Sequence, residues 1–207
     1  MSKAEGIRMA VAIAIAASLA SGAVSAQPAT EADPDWPCIQ RKVPSLTPAA
    51  VWSGPPIEDV GRAWRQDEEV SRLALDLSQR RLPIEEAEAR IRAFAEGLPP
   101  EDRQGRLTLL FAGLFDTMNA ERGEIMDGIA RYARRQRAAA EALREQGSEI
   151  NDARQREGAT AEEQALFWNR RIFDERRRAL TYICEMPRLV EQRLFALGRV
   201  IAGEMPD

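Results

Sequence analysis

Two apolar stripes, each running through a long charged segment, restrict what this chain can fold into. In the first, Phe111, Met118, Ile125, Tyr132 and Ala139 recur every seven residues, with Phe115, Ile129 and Leu143 on a neighbouring register. Arg122 and Gln136 occupy the two gaps in that second register. In the second stripe Leu166, Phe173, Leu180, Leu194 and Ile201 share one heptad position, Pro187 takes the missing place, and Ile183, Val190 and Leu197 widen the same side. Seven-residue spacing keeps side chains on one face of a helix, whereas a strand would scatter them over both faces of a sheet. The expected fold is therefore all-α: an elongated antiparallel helical hairpin or bundle with two shorter helices and a Pro-rich N-terminal arm. The first long helix is expected over residues 104–146, about 65 Å if unbroken. Gly113, Gly123 and Gly128 lower its local propensity and could permit a bend or a close crossing. The polar stretch "GSEINDARQREGAT" reads as the return, although its central residues could add another helical turn. "TAEE" then opens the second long helix, with Thr160 and Glu163 in capping-box positions. Pro187 is expected to bend or break that helix, since it removes a backbone donor and its ring meets the preceding turn.

Upstream, two shorter helices are expected. One runs from Ile57 to about Gln79, entered through Pro56, with Val60, Trp64, Leu73, Ala74 and Leu77 inward. The other opens at "PIEE", carries Ile84, Ala87, Ile91 and Phe94, and stops at "GLPPED" through Gly97 and the prolines. Residues 27–56 hold seven of the chain's 12 prolines, so this arm should be extended or turned. Its Trp36, Ile39, Val43, Leu46, Val51 and Trp52 are too apolar to stand together in water, which suggests an arm laid along the helical body. The organisation is then 1–26 leader, 27–56 docking arm and 57–207 helical domain.

The leader reading rests on Lys3 and Arg8, the apolar run Met9 to Ala20, and the small-residue site "VSA" ending at Ala26. A retained anchor is the alternative. Cleavage would leave 181 residues of net charge −5, a poor general polyanion binder. Export, periplasmic in preference to secreted, places the chain's two cysteines in an oxidising compartment, where a Cys38–Cys184 disulfide pinning the arm is expected. The chain-entropy account puts such a long closed loop at roughly 4–5 kcal/mol.

The chain contains no histidine. That removes Ser-His-acid and Cys-His catalysis, the common zinc centres, and the Glu-x-x-His elements of di-iron bundles. Glu121, Glu124 and Asp127 in "ERGEIMD" could gather on one helix side as cation ligands or acid-base groups, or form a solvated face. Tyr182, Cys184 and Met186 in "TYICEMP" could hold a soft metal only if the thiol were free. No cofactor is expected, and no nucleic acid partner, since no base-reading module is present. The basic runs "RYARRQR" and "RRIFDERRR" pose the sharper question. A hairpin returning near 147–160 would bring 131–137 towards 170–176, so Arg134, Arg135, Arg170, Arg171 and Arg177 could form a partner-binding patch. Neutralisation by Glu141, Asp174 and Glu175 is the plainer reading. The functional expectation is an exported, non-enzymatic scaffold, accessory subunit or chaperone that meets an acidic surface on an exported or membrane protein. A peripheral factor on anionic lipid is the first alternative, and a small-ligand bundle or carboxylate-based enzyme ranks lower.

Overall fold

The computed structural model describes residues 33–154 and 160–206, so the leader, its cleavage site and the centre of the return segment lie outside the described residues. Four helices account for most of the rest: α1 Glu68–Ser78, α2 Ile84–Glu96, α3 Pro100–Arg154 and α4 Thr160–Gly203. The described residues include no strand. The long α3 and α4 pack antiparallel, α1 lies on α3, and α2 lies on α4.

Around the N-terminal part of α3 and the C-terminal part of α4 these elements enclose one core, in which Leu77, Ile91, Leu107, Phe111, Leu114, Met118, Leu194, Leu197 and Ile201 are buried. Further along the hairpin only α3 and α4 remain. The sole buried cluster described there is Ile150 with Leu166, flanked by Leu143. The molecule thus has a four-helix body and a two-helix extension.

Each boundary has a local cause, and several differ from expectation. The first short helix does not begin at Ile57. Gly61 sits at φ +49°, a left-handed conformation that interrupts helical propagation, and Ala63–Arg65 forms one 3-10 turn. Helix α1 starts only after Asp67, whose backbone is extended and whose side chain accepts from the Val70 N–H at 3.0 Å. Trp64 is still buried, but from that turn. Its indole N–H donates to Asp116 on α3, and a Cβ on Gly113 would lie 3.0 Å from the Trp64 ring. Gly113 therefore marks a close approach, while Gly123 meets nothing within 4 Å.

Pro99 and Pro100 end α2 and also open α3. Pro100 occupies the first turn, where its missing N–H would have had no intrahelical partner, and Glu101 and Asp102 face the positive end. At its other end α3 runs through Arg154, beyond the expected stop near 146. Ile150 explains the continuation, because its burial against Leu166 repays two extra turns of otherwise polar helix. The Thr160 cap expected for α4 involves a side chain outside the described residues. Pro187 is buried within α4 and does not break it; the helix runs on to Gly203.

The arm docks, but not through all the expected residues. Trp52 stacks on Phe111 with ring centroids 4.0 Å apart, Val51 is buried, and Leu46 packs on the same core. The Val51 carbonyl lies so near α4 that a Cβ on Gly198 would be 2.8 Å from it. Ile39, expected inside, is 99% exposed, and Val43 is also exposed. Cys38 turns towards α4 to meet Cys184, and the chain bends at Ile39, which leaves that side chain in solvent.

Candidate functional site

Cys38 and Cys184 form a disulfide across 146 residues of sequence, with Cα atoms 5.6 Å apart. This bond fixes the arm against α4 and consumes the thiol on which a soft-metal reading of "TYICEMP" depended. Gln40 donates to Glu185 at 2.6 Å, and the Leu46 N–H donates to Asn119 at 3.2 Å, so polar contacts reach both long helices. Beyond the disulfide, Asp35 accepts from Arg134 and Arg137 on α3. The Arg137 and then the Arg134 hydrogen bonds hold the Asp35 carboxyl below its ordinary pKa. Arm and hairpin therefore meet through a carboxylate gripped by two guanidinium groups.

The five arginines read as one patch are distributed along the hairpin. The Tyr132 hydroxyl donates to the Arg176 carbonyl, whereas Asn169 meets Gln146. This register places Arg134 and Arg135 level with Arg176. Arg170 lies six residues, about 9 Å, further towards the tip on α4, and its guanidinium reaches to Gly147. Arg134 is paired with Asp35, Arg171 with Glu175 at 3.2 Å, and Arg177 with Asp174 at 3.8 Å. Asp174 and Glu175 thus act as local counterions. Glu141 joins no ion pair among the described residues, and Asp35 was the unforeseen partner. Arg135 lines a small cleft with Tyr132, Gln136 and Arg176.

Two sides of the extension are concave. On one, a cleft of about 870 Å³ is floored by Leu143, Ile150, Leu166, Phe167 and Phe173 and edged by Arg144, Arg154, Glu163, Arg170 and Asp174. Arg154 and Glu163 pair across its distal end. Arg144 and Arg170 form no ion pair among the described residues. Phe167 is 61% exposed and meets Trp168 edge-on at 5.6 Å, and the Arg171 guanidinium lies 5.8 Å from the Trp168 ring centroid. On the other side a cleft of about 270 Å³ is lined by Ala139, Ala142, Leu143, Ile172 and Phe173, with Gln136 and Arg176 at one end.

Arg144 and Arg176 had not been singled out from sequence, although each stands in a charged stretch. Choosing between them and their neighbours requires the interhelical register. The acidic trio does not gather: Glu121 pairs with Arg80 at 3.0 Å, while Glu124 and Asp127 are exposed. Among the described residues no group of three metal-capable side chains comes together, and no helix is long and apolar enough to cross a membrane. No protein-family model, curated protein or solved structure matches this chain.

Proposed function

We propose that the chain is an exported, non-enzymatic helical scaffold, accessory subunit or chaperone that holds a protein partner along the larger cleft of the two-helix extension. The observation that carries this reading is the pairing of an open apolar floor, including Phe167 and Phe173, with the guanidinium groups of Arg144 and Arg170. Two helices cannot enclose a stripe as four can, so the floor remains open to a third apolar surface. The arginines select for carboxylates at its edge. Asp35 of the arm, held between Arg134 and Arg137, illustrates that chemistry within the same hairpin. The partner is accordingly an amphipathic segment of an exported or membrane protein, apolar on one face and acidic at its margin.

The test uses a photo-cross-linker at Ser148, a cleft-lining position, in protein exported by its own leader. A discrete partner should be trapped through an acidic segment. Its affinity should fall roughly tenfold in Arg144→Gln/Arg170→Gln, more at low salt than at high salt, with circular dichroism unchanged. Equal trapping by the double variant would reject the cleft as the binding site. Loss of association with anionic vesicles, with no protein trapped, would assign the arginines to lipid.

A further inference from the structure

We infer that the side of the extension opposite the proposed partner cleft pairs with the same side of a second copy of this chain, antiparallel, to form a four-helix bundle. The residues along that side form an ordered charge pattern. Ala139, Ala142 and Ile172, with the hydrogen-bonded pair Gln146 and Asn169, make its middle, and Ile172 is 45% exposed. Towards the body, Arg135 and Arg176 line the adjoining cleft. Towards the tip, Glu149 follows Ala142 by seven residues and Glu162 precedes Asn169 by seven, which keeps both acids on this side of their helices. All four charged residues are exposed, and none joins an ion pair among the described residues.

The spacing makes the pattern self-complementary. Arg135 and Glu149 are fourteen residues apart on α3, and Glu162 and Arg176 fourteen apart on α4, about 21 Å in each case. A two-fold axis midway, at the level of Ala142 and Asn169, would bring the acidic end of one copy onto the basic end of the other, twice over. Parallel pairing would instead oppose like charges at both ends. The wider sequence has the same polarity: residues 131–145 and 169–178 carry ten arginines against four carboxylates, while 146–154 and 160–168 carry four carboxylates against one arginine. The alanines at positions 139 and 142 allow the helices to approach within the 8–10 Å usual for packed helices. A generic acidic partner would answer the basic end alone and leave Glu149 and Glu162 facing nothing. A second copy answers both.

Sedimentation velocity on the purified, oxidised protein tests this. At low salt, and up to about 100 µM, the weight-average mass should rise towards twice the monomer. Glu149→Arg/Glu162→Arg and Arg135→Glu/Arg176→Glu should each be monomeric, because each opposes like charges at both contacts, and a mixture of the two should recover the dimer. Arg144→Gln/Arg170→Gln, on the other side, should leave the dimer intact, so failure here is separable from failure of the partner cleft. A wild-type protein that stays monomeric throughout would overturn the inference. So would a dimer that survives both charge reversals, or protection of this side from hydrogen exchange only when a different protein is added.

Discussion

Arg122 stands where the heptad pattern calls for an apolar residue, and its environment explains the exception. It is 3% exposed, and its Nε donates to Glu191 on α4 at 2.6 Å. The guanidinium has given up most of its hydration; Glu191 is its one charged partner among the described residues, and the Pro44 carbonyl accepts a long hydrogen bond at 3.5 Å. Removing the carboxylate alone should therefore cost more than removing both groups. Glu191→Ala is expected to lower stability by about 2 kcal/mol, below the full penalty for a broken buried pair because Glu191 is itself part-exposed. Arg122→Leu/Glu191→Leu should recover much of the loss by filling the same space with apolar volume. Urea denaturation of the two variants checks this; equal destabilisation would show that volume rather than charge governs the position. The other gap, Gln136, has a different reason. It donates to the Tyr132 hydroxyl, which in turn donates to the Arg176 carbonyl, so the interruption serves a polar bridge between the long helices.

Helix α1 is positioned by its N-cap residue as much as by its apolar face. Asp67 caps the Val70 N–H and also accepts two hydrogen bonds from Arg106 of α3, at 2.9 and 3.0 Å. Partial burial pushes its carboxyl pKa up, but the Arg106 and Val70 hydrogen bonds and the guanidinium charge outweigh that and hold it below the ordinary range. A depressed native pKa contributes stability that is complete above the unfolded value of about 3.9 and is lost as pH falls through the native value. Asp67→Asn keeps a competent cap but removes the charge. The variant should be less stable than wild type at neutral pH, and the gap should narrow as acid protonates wild-type Asp67. Thermal melts between about pH 6 and pH 2 measure it, and a gap independent of pH would exclude the ion pair as its source. This helix also shows where sequence patterning is legible and where it fails. The stripe Ala74 and Leu77 was readable because i, i+3 spacing survives any shift of boundary. The start was not, because Trp64 is equally apolar in a helix or in a turn, and only its packing on Gly113 distinguishes the two. The existence of α2 was legible from "PIEE" and "GLPP", which punctuate the chain through backbone chemistry alone. The arm was legible as docked, while Ile39 was misplaced because the direction of Cys38 depends on its disulfide partner's position in space.

Stability should be unevenly distributed over the whole molecule, and the core predicts where. Phe111, Leu114 and Met118 are enclosed by α1, α2, the arm and α4, and the disulfide closes the arm onto that body. Beyond Ala133 the described helices bury only Ile150 and Leu166, with Leu143 beside them. Each turn of the extension fixes several backbone torsions, at about 1–2 kcal/mol per residue, against little apolar burial. Its helicity therefore depends on local propensity and on the few interhelical contacts. Native-state hydrogen exchange should show residues 107–118 and 190–201 opening only with global unfolding, and residues 136–154 and 160–176 opening at several kcal/mol less. The Pro187 region belongs to the protected part, because the disulfide and the buried face of α4 hold it despite the missing donor. Salt should lower protection of the extension in a dilute sample only modestly, since its internal ion pairs are mostly exposed and separated by one helical turn. If the second copy pairs as inferred, raising the protein concentration should increase protection at 139–149 and 162–176 while leaving 107–118 unchanged. Uniform protection along the full length of α3 in a dilute monomer would contradict this division of the core and would require the two-helix extension to be stable on its own.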